Sequence, residues 1–142
     1  MLAQSFSCCS SHHAGHNILD GQITMKIQSV AWSSIQPEEM SPLVSRRYVS
    51  GEHLTLARFE LKKGSVIPEH KHANEQICSV MEGSLVFHMD SREITVHAGE
   101  FLVIPPNLPH AAEAREDCVV MDVFSPPRAD WKDKQDHYLR GK

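Results

Sequence analysis

Ten histidines occur in 142 residues, and three of them stand where they could act together. His70 and His72 lie two apart, after Gly64 and Pro68. On an extended backbone alternate side chains share a face, so both imidazoles would point one way. Gln76 has the same parity and joins them if the strand runs on regularly. His110 follows a proline-rich turn, IPPNLPH, after another strand-like run. One imidazole pair holds a transition metal poorly. Three imidazoles with an oxygen donor hold one well and leave positions for water or substrate. The competing account is four unrelated polar residues on a β surface, and a His-X-His pair alone does not choose between the two.

A second constellation lies in residues 119–128, VVMDVFSPPR. Asp122 interrupts an apolar strand on the same face as Val120 and Phe124. A buried, unpaired carboxylate is costly, so Asp122 needs a partner, a metal nearby or a chemical task. Arg128 follows the Ser-Pro-Pro turn. It either folds back over the mouth of the site or forms a structural ion pair with Asp122. Glu69, Lys71 and Glu75 point outward by parity. His88 and His97 are expected at the surface or in hydrogen bonds, and His12, His13 and His16 in a solvated tail.

The elements that must position these groups read as β structure. Between residues 45 and 125 short runs recur, broken by Gly, Pro or charged turns, among them YVSGEHLTLARFEL, QICSVMEG, REITVHAGE and CVVMDVFSPP. Many alternate with period 2, as at Ile94, Val96 and Ala98 or at Phe101 and Val103. No amphipathic helix interrupts them, which predicts a sandwich or barrel. Residues 25–32 (MKIQSVAW) read as a first strand, with Met25 a candidate start. Residues 35–40 (IQPEEM) read as a helical turn. Residues 1–24 are rich in Ser, His and Gly and read as a flexible tail. Residues 130–142 are charged and read as a short helix or tail.

Composition narrows the class. Hydrophobic residues at 41% and charged residues at 23% suit a soluble globular domain and exclude a disordered chain, a collagen repeat or a coiled coil. The net charge of −4 gives no electrostatic footprint for nucleic acid. No apolar run approaches the ~20 residues of a membrane helix. Cys8, Cys9, Cys78 and Cys118 match no zinc spacing, and Cys78 and Cys118 sit in apolar runs as small core residues. Reduced thiols and the lack of a basic-then-apolar leader point to the cytoplasm.

The two histidine stretches resemble the motifs of the cupin family. The first has Gly64, five residues, His70-Lys71-His72, then Gln76 and Gly83. The second has Gly99, Pro105-Pro106-Asn107 and His110. Three positions depart from the common pattern: Gln76 stands for Glu, Asn107 for Gly and Ala114 for Asn. Asn tolerates the left-handed turn that Gly would make. The neutral Gln leaves a bound ion more positive, which favours Lewis-acid binding of an anion. The resemblance implies an all-β fold, a double-stranded β-helix (jelly-roll) barrel over residues 25–129, with one divalent transition metal ion inside (Zn, Ni, Fe or Mn). Small cupins of this kind imply a homodimer, paired through a strand such as 25–32 at an open edge.

The stretches HANEQ, IPPNLPH and DVFSPPR together are similar to the small single-domain pectin-degradation cupins of the KdgF type. That resemblance implies metal ligation by His70, His72, Gln76 and His110, with Asp122, Phe124 and Arg128 in the active site. It implies isomerase-type chemistry, the opening of 4,5-unsaturated monouronates to linear keto forms. Arg128 would pair with the uronate carboxylate, Asp122 would move a proton, and Phe124 would pack against the sugar. Two other readings stay open: a cupin dioxygenase, marked by oxygen consumption with a diketone or flavonol, and a non-catalytic module that holds a small acid.

Overall fold

Residues 27–140 are described by a computed structural model, and within them ten strands form two antiparallel sheets. Strands β1 (Glu38–Ser41), β2 (Val44–Ser50), β3 (Thr55–Leu61), β10 (Cys118–Ser125), β5 (Glu75–Glu82) and β8 (Phe101–Ile104) make the larger sheet, in that order. Strands β4 (Val66–His70), β9 (His110–Glu113), β6 (Ser84–Met89) and β7 (Arg92–His97) make the smaller one. The chain crosses repeatedly between the sheets, and their facing sides enclose the core of a jelly-roll barrel. Alternation places the side chains: Cys118, Val120, Asp122 and Phe124 of β10 are buried, as are Thr55, Ala57, Phe59 and Leu61 of β3. No helix of the described residues is long and apolar enough to cross a membrane. The stretch 1–24, with Cys8, Cys9, His12, His13 and His16, lies outside the described residues.

The structure corrects the N-terminal expectations. Residues 27–31 form no strand, and Ile27 is fully exposed, so apolar spacing there finds no ladder partner among the described residues. The helical turn falls at Trp32–Ser34, and the stretch 35–40 instead leads into β1. There Glu38 pairs with Arg46 in register and Met40 is buried. Tertiary pairing overrides the weak local preference of Glu and Met for helix. The period-2 reading at Phe101 and Val103 marks the outer face. These side chains are 67% and 50% exposed, whereas Ile104 is wholly buried.

Two turns fix the frame around the site. Asn107 adopts φ 62°, and its amide donates to the carbonyl of His72 at 2.8 Å, tying the two histidine stretches together. Gly83 has φ 72°, and a Cβ there would collide with the carbonyl oxygen of Asp117.

After β10 the chain forms α1 (Ala129–Lys132) and turns through residue 140. Trp131, Asp136 and Leu139 are buried against the barrel. Asp136 pairs with Arg46 at 2.8 Å, both side chains fully buried. Glu38 completes the cluster, 2.9 Å from Arg46 and 3.1 Å from Arg140, and Arg140 reaches Asp136 at 2.9 Å. A buried guanidinium needs such partners, because unpaired it would force its desolvation cost on the fold.

Candidate metal centre

Three imidazoles converge inside one end of the barrel. His70 ends β4 and His110 begins β9, and the two are register partners. His72 arrives differently from the parity expectation. The chain leaves the strand after His70, turns through residues 71–74 and starts β5 in the other sheet. Gln76 therefore faces the histidines across the barrel rather than along one strand. Asn74, buried in that turn, donates its side-chain amide to the carbonyls of Pro126 and Pro127 and pins the turn to the chain beyond β10. The ligating atoms of His70, His72 and His110 all lie within 4.8 Å of one another. Gln76 Oε1 is 3.1 Å from His72 Nε2.

The hydrogen bonds decide which ring nitrogens carry protons. His70 Nδ1 lies 2.8 Å from the carbonyl oxygen of Pro68, His72 Nδ1 3.0 Å from that of Asn74, and His110 Nδ1 2.8 Å from that of Leu108. A carbonyl only accepts, so each Nδ1 is the donor and bears the proton. Burial favours the neutral rings. It lowers the pKa of His70 to about 3 and that of His72 to about 4, with Arg128 adding to the fall at His72. Burial lowers His110 as well. Each neutral ring then carries a lone pair on Nε2. His110 Nε2 is buried with no hydrogen-bond partner, and His72 Nε2 faces the oxygen of Gln76, another acceptor. Acceptors turned toward one another without a proton between them fit a cation. The donor set of three imidazoles and an amide oxygen suits a divalent transition metal.

Asp122 lies beside this set, opposite Cys78 in the β10–β5 register and 6% exposed. Burial raises its pKa to about 6, while hydrogen bonds from Cys78 and Gln76 and the charge of Arg128 pull the other way. The amide nitrogen of Gln76 serves the carboxylate, so the amide oxygen is turned toward the histidines. Asp122 Oδ1 has no partner. The alternative of an Asp122–Arg128 ion pair is not what the structure contains. Arg128 Nε and Nη2 donate to the two oxygens of Asp130 at 2.9 and 2.7 Å, and Nη2 also donates to Tyr138 Oη at 2.7 Å. The Arg128 guanidinium carbon lies 4.8 Å from the Phe124 ring centre and 4.5 Å from that of Trp131.

These groups line a cavity of about 50 Å³, with His70, Gln76, His110, Asp122, Arg128 and Tyr138 as its main polar walls. Phe124 packs edge-on to His72, with centroids 5.5 Å apart. Thus His70, His72, Gln76, His110, Asp122, Phe124 and Arg128 come together. Glu69, Lys71 and Glu75 are exposed, and so is His97. His88 lies 3.9 Å from Glu93 and 3.6 Å from Glu113, two carboxylates that Arg115 already bridges. Sequence reasoning missed Tyr138, which stacks on His70 at 4.0 Å and 14°. The signal was Trp131, Tyr138 and Leu139 standing in an otherwise charged stretch, since such bulky side chains tend to be buried.

Comparison with known proteins agrees with this fold. A family model described as Cupin domain matches residues 57–124. The chain is 30% identical over 98 residues to an uncharacterized protein of Methanocaldococcus jannaschii, covering 64% of this chain and 78% of that protein. It is 36% identical over 56 residues, 38% of its length, to the uncharacterized HTH-type transcriptional regulator YobQ of Bacillus subtilis, of which it spans only 23%. The solved structure of KdgF from Halomonas sp. superposes with a TM-score of 0.70 at 25% identity, covering 75% of this chain and 99% of that one.

Proposed function

Because the chain belongs to the cupin family, we propose that it is a metal-dependent isomerase-type enzyme that opens a 4,5-unsaturated monouronate to its linear keto form. The observation that carries this reading is Asp122: a buried carboxylate with a free oxygen, in one cavity with a metal-type donor set and a guanidinium. His70, His72, Gln76 and His110 would hold the divalent ion, which supplies Lewis-acid polarisation of ligand oxygens. Arg128 binds the uronate carboxylate through its fork of donors. Asp122 takes the proton of the ring hemiacetal hydroxyl as the ring C–O bond breaks, leaving an aldehyde at that carbon and the freed ring oxygen as an enolate. Asp122 returns the same proton to the alkene carbon as the enolate becomes a ketone, so no electrons are gained or lost overall. A pKa of about 6 suits a group that must both take and give a proton near neutrality. Phe124 forms an apolar wall for the sugar.

The test is an ultraviolet assay of the metal-loaded protein, following loss of the conjugated double bond. Asp122→Asn is expected to slow turnover by roughly 10²–10⁴-fold with metal content retained. Absence of product with the loaded native protein overturns the reaction. Full turnover in Asp122→Asn removes this residue from the chemistry.

A further inference from the structure

The C-terminal segment, residues 129–140, completes neither sheet, yet it closes the site. Tyr138 and Leu139 line the cavity and Trp131 floors it. Tyr138 lies flat on His70, and its hydroxyl accepts from Arg128. Asp130 takes Arg128 Nε and Nη2 in the two-point geometry by which a guanidinium grips a ligand carboxylate. Arg128 is the one Lys or Arg among the cavity-lining residues. So the cation best placed to receive an acidic ligand is already gripping a carboxylate from its own chain.

Two further observations bear on what this contact does. The cavity, about 50 Å³, is far below the ~300 Å³ or more of ordinary small-molecule sites, so it is too small for a sugar acid as it stands. The two ends of the Arg128–Asp130 pair are also unequal. The side chain of Arg128 is 1% exposed and that of Asp130 is 33% exposed. Asp130 can return to water, whereas Arg128 cannot and must always have an anion.

We propose that Asp130 and Tyr138 are specificity-determining residues that occupy the acid subsite of Arg128, and that a carboxylate ligand binds by displacing them. The ligand's carboxylate takes the place of Asp130 on the guanidinium, and Tyr138 leaves the face of His70 to open the cavity. Arg128 passes from one carboxylate to another, so its buried charge is never left bare. The exchange is local, because Asp136 stays fastened to Arg46 and Arg140 below. A neutral sugar offers no replacement anion and is refused. This proposal rests on the assignment of Arg128 as the acid-binding group, and its test is separate from turnover.

The test is calorimetric binding of D-glucuronate, a saturated uronate with no double bond to react, to the metal-loaded full chain, with D-glucose as the neutral control. Asp130→Asn weakens the internal competitor and is expected to tighten glucuronate binding by about 10-fold or more, the equivalent of one lost charge-assisted hydrogen bond. Glucose binding is expected to stay unchanged. Tyr138→Phe keeps the ring and removes the hydroxyl, with a smaller gain in the same direction, and serves if Asp130→Asn does not fold. Unchanged or weaker glucuronate binding in the folded variants overturns the proposal, as does an equal gain for glucose. A native protein that turns over no unsaturated uronate, while Asp130→Asn still gains for glucuronate, removes the reaction and keeps the acid subsite.

Discussion

Replacing Gln76 with Glu tests the polar contacts at the centre of the site, and its size follows from the structure. The side-chain amide nitrogen of Gln76 donates to Asp122. Gln76→Glu sets a second carboxylate there in place of that donor. Two ionised carboxylates ~3–4 Å apart repel by about 4–6 kcal/mol at an effective dielectric constant of about 20. A cheaper outcome exists, because burial already holds the pKa of Asp122 at about 6. Keeping one proton on the pair costs only about 1.4 kcal/mol at pH 7 and about 2.7 kcal/mol at pH 8. Proton retention wins. In the native sequence both folded and unfolded chains are ionised at Asp122 above pH 6. In the variant the folded state holds one proton more than the unfolded state. Its stability relative to the native protein therefore falls as pH rises. The assay is urea unfolding of chelator-treated protein at pH 5.5, 7 and 8. The expected deficit is near zero at pH 5.5 and grows by about 1.4 kcal/mol per pH unit above 6. A deficit that does not change between pH 5.5 and 8 would refute the Gln76–Asp122 contact. Loading with a divalent metal is expected to flatten the pH dependence, because a cation held by the three histidines and the new carboxylate would offset the added negative charge.

Two further perturbations bear on the frame. Asp136→Asn strips the fully buried Arg46 of its buried partner and leaves it only Glu38; a loss of about 3 kcal/mol is expected. In a thermal melt that is a fall of roughly 9 °C, and a change within a degree or two would show that the cluster carries no stability. Asn107 sits at φ 62°, so Asn107→Gly is expected to hold stability within about 0.5 kcal/mol, while Asn107→Val loses about 1–2 kcal/mol in urea titrations. Equal losses in both would mean that the side chain of Asn107, not its backbone conformation, is what matters.

Much of this molecule was legible in its residues because β structure writes itself locally. Alternation along β10 put Val120, Asp122 and Phe124 on one buried face, and that is where they lie. Asn107 in place of glycine read as a left-handed turn for a stated steric reason, and its φ is positive. The convergence of His70, His72 and Gln76 was legible, but by an incomplete argument. Strand parity cannot see that the chain changes sheets between residues 71 and 74. The partner of Arg128 was out of reach for a related reason. Asp122 and Asp130 are both close in sequence, and only the turn of α1 brings Asp130 round to the guanidinium. Of the strand expected at residues 25–32, the described residues 27–31 form none within the chain, since an apolar-spaced stretch becomes a strand only when another strand offers its ladder.

Trp131 lies against two guanidiniums, that of Arg46 at 4.1 Å from its ring centre and that of Arg128 at 4.5 Å. Indole emission responds to nearby charge, so the colour and brightness of this side chain depend on where those cations rest. The chain has one other tryptophan, Trp32. With Trp32 replaced by phenylalanine, the protein becomes its own optical gauge, and the arrival of an anion at Arg128 is readable in a cuvette without dye, label or turnover.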